Sequence, residues 1–248
     1  MHRKGMVIDM RTVLVTGANK GIGFATAKYF WERGDRVILT GRSEERLKAA
    51  VAKLGDRADY AVWDVSDIHA APTVLNALHE RYGDIHVIVN NAGIVSDEDI
   101  SGSDFLTKTE EAWDETMNIN LKGLFFALQA EARYMIDHGI RGHIVNVCSE
   151  MSFRPAYNAY TTSKWGALGL TKGVARRLAK DGIILNGVAP GETATEILRQ
   201  KEGEPHPIPS PRGERAMPVE MAEAIYFLAG SQNIIGAVLL SDGGRSLH

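Results

Sequence analysis

The sequence has only one cysteine, Cys148, among 248 residues, so an intrachain disulfide is excluded. It also lacks any run of about 18 apolar residues, the length that a membrane-spanning helix needs. Asp9 and Arg11 interrupt the amino-terminal segment, so a signal peptide is not expected. No cluster of His, Cys or acidic residues has metal-ligand spacing, so no metal site is predicted. A reducing cytoplasm is the expected location.

Charge of one sign is not in large excess either. The formal net charge is -3, from 28 Lys and Arg against 31 Asp and Glu. A nucleic-acid-binding protein usually carries a strongly basic patch, so this class is disfavoured. With 44% hydrophobic and 24% charged residues, the composition is that of an ordinary globular domain.

What the sequence does have is a regular alternation of short apolar runs and longer segments of helical period. The runs are TVLVT, RVILT, YAVW, IHVIVN, HIVNV, IILNGVA and AVLLS. Helices are predicted after Gly23, from Ser43, after Pro72, from about Thr109 to His138, through Tyr160 and Lys164, and from Pro218. Apolar strands separated by helices indicate a parallel sheet buried on both faces, with right-handed crossovers. We expect an α/β fold, a Rossmann-type doubly wound parallel sheet flanked by helices in a three-layer α/β/α sandwich, as one domain over residues 1–248.

Glycines follow the first predicted strand in the segment TGANKGIG. Gly17, Gly21 and Gly23 permit a tight turn, close approach of the backbone to a pyrophosphate, and entry into a helix with a partly positive N-terminus. Ligands of doubly wound sheets bind at the carboxyl ends of the strands, which is where this turn lies. The spacing differs from the commoner G-x-G-x-x-G. Taken alone, the turn is also explained as an ordinary strand-to-helix connection.

Further candidate binding residues follow the later strands. They are Asp64 and Val65 after the third strand, Asn90 to Gly93 in NNAG after the fourth, Ser149 after the fifth, and Pro190 and Gly191 after the sixth. Each of these residues could also serve only to form a turn, and Asn120 could form only a local hydrogen bond within a helix. One parallel sheet, however, brings all of these strand ends to one crevice.

A tyrosine and a lysine four residues apart form a pair in AYTTSKWGA. On a helix, Tyr160 and Lys164 share a face, and such a pair can be only a surface contact of roughly 0.2–0.5 kcal/mol. A chemical role requires a cofactor, an oxyanion donor and a carbonyl site around the same pair.

These motifs together resemble the short-chain dehydrogenase/reductase family, including its 3-oxoacyl-(acyl-carrier-protein) reductases. The resemblance runs from TGANKGIG through NNAG, NINLKG, VCS, YTTSK and APG to SDGG, which is nearly the whole chain. It implies that the catalytic residues are Asn120, Ser149, Tyr160 and Lys164. The candidate cofactor-binding residues are Gly17, Asn19, Lys20, Gly21, Ile22, Gly23, Arg42, Ser43, Asp64, Val65, Asn91, Ala92, Gly93, Tyr160, Lys164, Pro190, Gly191, Thr193 and Thr195.

The resemblance also implies a division of roles among the catalytic residues. Tyr160 exchanges a proton with the substrate oxygen, and the cationic Lys164 favours its phenolate form. Ser149 hydrogen bonds to the same oxygen as charge develops there. Lys164 additionally holds the ribose hydroxyls, and Asn120 supports a water path that returns protons. The interval from Ser149 to Tyr160 is 11 positions, about two shorter than in most relatives, which alters the expected substrate wall.

Residues after the second predicted strand favour NADP(H) over NAD(H). Relatives that prefer NAD carry an acidic residue at this strand end, which bonds the ribose 2′-hydroxyl. Here the segment ILTGRSEE has Gly41 at that position and Arg42 after it, and Lys20 lies in the glycine turn. A guanidinium binds phosphate through two charge-assisted hydrogen bonds. NADP(H) is therefore the predicted cofactor, with NAD(H) as the alternative; both cations could instead be ordinary surface charges.

The leading interpretation is an NADPH-dependent oxidoreductase that interconverts a carbonyl and a secondary alcohol. The alternatives are an NAD(P)-dependent alcohol, sugar or steroid dehydrogenase working oxidatively, and a non-catalytic NADP(H)-sensing protein, which the intact set of four catalytic residues disfavours. The expected partner is a small-molecule carbonyl or alcohol substrate, with no nucleic acid and no membrane. From the family, a homodimer or homotetramer is expected through the two long helices.

The substrate itself is not determined by the sequence. The polar, proline-rich segment at about 193–217 is predicted to be a lid over the substrate. The candidate wall residues are Ile94, Ser96, Met151, Phe153, Arg154, Glu192, Ile197 and Leu198.

Overall fold

A seven-stranded sheet forms the centre of the molecule in a computed structural model that describes residues 10–100, 105–196 and 207–247. All neighbouring strands are parallel, and their order is β3-β2-β1-β4-β5-β6-β7. The strands are β1 Thr12–Thr16, β2 Arg36–Gly41, β3 Ala58–Val62, β4 Val87–Asn90, β5 His143–Val147, β6 Ile184–Pro190 and β7 Val238–Ser241. The predicted Rossmann-type fold class is confirmed.

Helices cover both faces of the sheet. They are α1 Gly21–Glu32, α2 Glu44–Val51, α3 Ala70–Tyr82, α4 Asp97–Ile100, α5 Glu110–Met117, α6 Leu124–Asp137, α7 Ala159–Leu178 and α8 Pro218–Leu228. Buried side chains of α1, α2 and α8 pack with one face of the sheet, and those of α3, α6 and α7 pack with the other. Side chains along β1 point alternately to the two faces of the sheet. Val13 and Val15 therefore pack with α1, α2 and α8, and Leu14 packs with α3, α6 and α7.

The predicted helix from about Thr109 to His138 is present as an unbroken helical run over 110–137, but it is not α-helical throughout. A π-helical segment, Asn118–Gly123, separates α5 from α6. Within this segment, the Asn120 side chain hydrogen bonds to the backbone of Ile94, and Gly123 packs closely on the chain after β3. A Cβ at Gly123 would be 2.6 Å from the Val65 carbonyl oxygen. Long-range contacts therefore override the helical period of the sequence here.

Other departures are small. β3 begins at Ala58, two residues before the predicted run YAVW, and α3 includes Pro72 in its first turn instead of beginning after it. Proline is tolerated there because the first backbone N–H groups of a helix have no helical acceptor. Within the described ranges, no helix combines the length and the apolar composition that crossing a membrane would require.

A carboxylic acid is buried between α6 and the sheet. Glu131 is 0% exposed, and its Oε2 accepts a 2.9 Å hydrogen bond from Asn90 Nδ2. Asn90 Nδ2 also donates to Asn146 Oδ1 at 3.1 Å, so the acid belongs to a buried polar group that joins β4 and β5. Burial raises the pKa of Glu131 to about 7, although the bond from Asn90 opposes the shift. The protonated form is therefore the one that the fold favours.

Replacing Glu131 by Gln should stabilise the protein at pH 8 and leave its stability nearly unchanged at pH 5. The folded pKa of Glu131 lies above its unfolded value of 4.5, so the wild type loses stability as pH rises through that interval to about 7. A neutral amide avoids this loss, which is on the order of 3 kcal/mol. Urea denaturation at both pH values measures the effect. Glu45→Gln on the exposed side of α2 is the control, and an equal gain from Glu131→Gln at both pH values would contradict the argument.

Candidate active site

The turns after β1 and β4 pack closely against each other. Gly17 has φ +62°, and a Cβ on it would lie 2.9 Å from Ala92 Cα. A Cβ on Gly23 would lie 2.4 Å from Asn91 Nδ2 and 2.5 Å from the Gly17 carbonyl oxygen. Asn91 Nδ2 donates to the carbonyl oxygens of Thr16 at 2.9 Å and Gly17 at 3.1 Å. The asparagine of NNAG thus fixes the glycine turn.

A cleft of about 480 Å³ opens at the carboxyl ends of β1, β2, β3 and β4. Predicted cofactor-binding residues that line it are Gly17, Asn19, Lys20, Gly21, Ile22, Arg42, Ser43, Asp64, Val65, Asn91, Ala92, Gly93 and Thr195. The glycines provide a wall without side chains, and basic groups lie at the end next to β2. This shape and charge suit an extended dinucleotide with a phosphate at the β2 end.

Other predicted cofactor-binding residues do not line this cleft. Gly23 lies beneath it, against Asn91. Pro190 ends β6, and a Cβ on Gly191 would be only 2.7 Å from Asp242 Cα, so this bend packs against the turn after β7. Thr193 is buried and donates to the Gly191 carbonyl oxygen at 3.1 Å.

Some cleft residues were not predicted from the sequence. They are Gly41, Arg46, Trp63, Ile94, Val95, Asp97, Ile119 and Glu196. Of these, the sequence indicates Gly41 only as the position of an acidic residue in NAD-binding relatives, and Ile94 only as a substrate-wall residue. Arg46 lies in the first turn of α2, which Ser43 caps by accepting the Arg46 backbone N–H at 3.4 Å. A local signal was present, because Arg46 lies only four residues after the predicted Arg42, in the first turn of α2. Glu196 pairs with Lys20 at 2.7 Å, which joins the glycine turn to the chain after β6.

Lys164 is buried at the junction of β4, β5 and α7. Its Nζ donates to the Val147 carbonyl oxygen at 3.1 Å and lies 5.7 Å from the centre of the Tyr160 ring. A Cβ on Gly93 would be 3.6 Å from the same Nζ. The predicted pair therefore lies beside the NNAG turn, on the first two turns of α7, with the lysine held by backbone.

Asn120 connects the chain after β4 to α7. Its Oδ1 accepts the Ile94 N–H and its Nδ2 donates to the Ile94 carbonyl oxygen, both at 2.8 Å. Nδ2 also lies 3.3 Å from Ser163 Oγ. The side-chain amide thus acts as a clamp on Ile94, which the sequence did not predict. The water-path role of Asn120 stays a prediction.

Ser149 begins the shortened connection to Tyr160. Its Oγ accepts the Met151 N–H at 3.2 Å and caps a 3₁₀ turn, Glu150–Phe153. Ser152 Oγ in this turn donates to the Lys164 carbonyl oxygen at 2.8 Å. α7 then begins with Asn158 as its N-cap, whose Oδ1 accepts the Thr161 N–H at 2.8 Å. The 3₁₀ turn therefore packs the serine segment directly against the helix of the tyrosine and lysine.

The predicted substrate wall and lid are only partly described. Ile197, Leu198 and the rest of 197–206 lie outside the described residues. Before this gap, Glu192 pairs with Arg215 at 2.9 Å, and Thr193 forms a parallel bridge with Ala216. In the described ranges, no group of three or more His, Cys, Asp or Glu side chains is arranged to hold a metal ion.

Comparison with known proteins agrees with this geometry. Residues 11–205 match the sequence model of a family described as short chain dehydrogenase. The chain is 37% identical to gluconate 5-dehydrogenase of Gluconobacter oxydans, over 93% of each chain. It is also 37% identical to a 3-oxoacyl-(acyl-carrier-protein) reductase of Thermotoga maritima, over 96% of this chain and 99% of that one.

Two solved structures are similar throughout. A variant of actinorhodin polyketide ketoreductase with NADPH has a TM-score of 0.85 and 28% identity, covering 97% of this chain and 98% of that one. The protein ElxO with NADP bound has a TM-score of 0.84 and 29% identity, covering 96% of this chain and 99% of that one.

Substitution of Gly23 by Ala should damage the cleft. The new methyl group would overlap Asn91 Nδ2 and the Gly17 carbonyl oxygen, and overpacking of this kind costs about 1–3 kcal/mol. We expect a lower melting temperature and weaker binding in a fluorescence titration with NADPH. Gly230→Ala is the control, because its methyl group would meet its nearest neighbour at 3.8 Å. Equal behaviour of the two variants would mean that the turns are not tightly packed.

Proposed function

Because the chain belongs to the short-chain dehydrogenase family, we propose that it is an NADPH-dependent oxidoreductase that interconverts a carbonyl and a secondary alcohol. Membership makes it an oxidoreductase of carbonyl or alcohol groups. The proposal adds the cofactor preference and the residues that carry the reaction. One observation carries it: the buried Lys164 ammonium lies 5.7 Å from the Tyr160 ring and beside Gly93 of the cleft.

The residues present fit a nicotinamide dinucleotide. Gly17 and Gly23 have no room for a Cβ, and the cleft they help to form opens at a helix N-terminus, where backbone N–H groups attract phosphate. The residues that would hold the cofactor are the lining residues of the glycine turn, of the β2 end and of NNAG, together with Lys164. When bound, NADPH supplies the hydride for reduction and NADP accepts it in oxidation.

The chain's own residues handle the proton and the substrate oxygen. Tyr160 donates its phenolic proton to the carbonyl oxygen during reduction and takes the hydroxyl proton back during oxidation. Lys164 stabilises the phenolate through its charge. The Oγ of Ser149 accepts the Met151 N–H, and this contact fixes the hydroxyl for donation to the substrate oxygen. Asn120 holds Ile94, so that the chain after β4 stays against α7.

Replacing Tyr160 by Phe should lower kcat by about 10²-fold to 10⁴-fold, because the proton donor is lost. Binding of NADPH should stay nearly unchanged, since the ring remains. Ser149→Ala should also affect turnover more than cofactor binding, whereas Lys164→Met should weaken both. Steady-state kinetics with a good substrate, together with NADPH titration, separate these effects. A Tyr160→Phe enzyme with near-normal kcat would remove Tyr160 as the acid.

Preference for NADPH is supported by the charge at the β2 end of the cleft. Arg42 and Arg46 both line it there, and Ser43 caps the N-terminus of α2 between them. Two structures with about the same fold bind NADPH or NADP. The 2′-phosphate carries roughly -1.5 to -2 charge near pH 7, by analogy with phosphate monoesters, and guanidinium groups bind it well.

The double variant Gly41→Asp with Arg42→Ala should reverse the cofactor preference. A Cβ at Gly41 would meet Asn19 Oδ1 at 3.5 Å and Leu47 Cδ2 at 3.7 Å, which are ordinary contacts, so a side chain fits there. The wild type should prefer NADPH by roughly tenfold to a few hundredfold. The carboxylate would bond the 2′-hydroxyl of NADH and repel the phosphate.

Binding curves for NADPH and NADH at two salt concentrations test this reversal. Arg33→Ala, at the end of α1 away from the cleft, is the control for loss of one positive charge. Wild-type preference for NADH, or an unchanged preference in the double variant, would reject the NADP assignment.

The oxidative alternative has a specific observation in its favour. The identity to gluconate 5-dehydrogenase is 37%, the same as that to the 3-oxoacyl-(acyl-carrier-protein) reductase. A panel of ketones, acyl thioesters and sugars with NADPH, and of alcohols and sugar acids with NADP and NAD, decides between the two directions. If the protein binds NADPH but turns over no compound of either panel, the result would favour a non-catalytic NADP(H)-sensing protein.

We further propose that the chain forms one domain, that the segment at about 193–217 is its substrate lid, and that it assembles as a homodimer or homotetramer. Assembly through α5, α6 and α7 is supported by large apolar side chains exposed there: Trp113 at 38%, Phe125 at 43% and Trp165 at 47%. A lid is supported by the contact of Glu196, in the chain after β6, with Lys20 of the glycine turn, since both line the cleft.

A further inference from the structure

A chain of alternating charges, which we call the ion-pair chain, runs beside the catalytic serine. In order, its members are Arg154, Glu150, Arg245, Glu192 and Arg215. They come from four separate segments: the loops after β5, β6 and β7, and the chain that precedes α8. Glu150, the residue next to Ser149, is buried.

Arg245 is the central member of the ion-pair chain, and one of its nitrogens makes both of its contacts. Its Nη1 lies 2.8 Å from Glu150 Oε1 and 2.5 Å from Glu192 Oε1. The two carboxylates are therefore held close together on a single nitrogen, which carries two N–H bonds. Carboxylates at this separation repel each other strongly unless a cation lies between them.

The position of Arg245 is itself well determined. Asp242, after β7, accepts the Gly244 N–H on Oδ1 at 3.0 Å and the Ser246 N–H on Oδ2 at 2.8 Å. The Arg245 N–H donates to the Asp242 carbonyl oxygen at 3.2 Å. The guanidinium thus extends from a turn closed by hydrogen bonds.

Both carboxylates lie on loops that matter for the reaction. Glu150 begins the 3₁₀ turn that Ser149 caps and that packs on α7 through the bond from Ser152 to Lys164. Glu192 follows the bend at Gly191, where the candidate substrate wall continues after β6. A change in the spacing of these carboxylates would therefore move the serine relative to Lys164 and widen the wall.

We propose that Arg245 is a positioning residue for the carbonyl site, which holds the loops after β5 and β6 together by neutralising Glu150 and Glu192. This inference rests on the proposed function, since the site it positions is the one assigned there. Arg245 acts through the two loops and needs no contact with substrate or cofactor. The turn after the last strand is thereby part of the substrate site.

The inference has a distinct pH signature. Burial raises the pKa of Glu150, and Arg245 and Arg154 oppose this shift, while Asp242 and Glu192 add to it. Without Arg245 the pKa of Glu150 rises further, so a variant carries a protonated, non-repelling Glu150 at low pH and an ionised one at high pH. The defect should therefore grow as pH increases.

The first variant is Arg245→Met, which keeps the length of the side chain and removes its charge. We expect kcat/KM for a carbonyl substrate to fall roughly tenfold at pH 8, since small misplacement of reacting groups is costly. The loss should be much smaller at pH 6. The dissociation constant of NADPH should change less than about twofold, because most of the cofactor cleft is built from the ends of β1, β2, β3 and β4.

Two further variants separate positioning by charge from simple loss of packing. Arg245→Lys should keep most of the activity, because a single nitrogen makes both contacts and an ammonium can replace it. Glu150→Gln combined with Arg245→Met should recover much of what Arg245→Met loses, because one of the two repelling charges is gone. Arg81→Met, which breaks the ion pair with Asp59 at the far edge of the sheet, is the control for loss of an arginine.

Melting temperatures of the same set at pH 6 and pH 8 give a readout that needs no turnover. Arg245→Met should melt lower than the wild type by a margin that grows with pH, and the double variant should not. A margin independent of pH, no relief by Glu150→Gln, or unchanged kcat/KM at pH 8 would overturn the inference. If the wild type reduces or oxidises nothing, the proposed function fails instead, and the melting data still decide whether Arg245 separates the two carboxylates.

Discussion

The contact between the turns after β1 and β4 is the constraint on which the rest of the site depends. These turns meet with backbone against backbone, and Asn91 seals them by donating to Thr16 and Gly17. Because Gly17 and Gly23 have no side chains, the backbone of the two turns can approach this closely, with the Asn91 amide as the link between them. The glycine turn and the NNAG turn, which together supply many of the lining residues of the cleft, take their positions from this junction.

A second layer of positioning comes from groups that join elements instead of facing the cleft. Asn120 binds both backbone groups of Ile94 from within a π-helical segment, and Lys164 is held by the Val147 carbonyl oxygen. The π-helical segment gives up regular helical hydrogen bonding to bring the amide into reach, a pattern often seen at functional sites. These contacts fix α7 to β5 and to the chain after β4.

Much of the sheet and most cleft residues could be predicted from the sequence, because both depend on local patterns. Apolar runs locate buried parallel strands, and the glycine turn and NNAG mark strand ends. The π-helical segment, the Asn120 clamp and the pairing of Glu150 with Arg245 could not be predicted, since each joins residues far apart in the chain. Arg46 could have been predicted from its position four residues after Arg42, but it resembled an ordinary exposed helix residue.

The strand order has a consequence for how the chain acquires its structure. β1 lies between β2 and β4, so half of its pairing waits for a strand far along the chain; Thr12 bonds to His86, 74 positions later. During synthesis, β1, β2 and β3 can associate early. The cleft is incomplete until β4 is synthesised and pairs with the open edge of β1. Contacts of such long sequence separation slow folding. Until that edge is covered, the nascent chain exposes unpaired backbone N–H and C=O groups of β1 and depends on its surroundings to stay unaggregated.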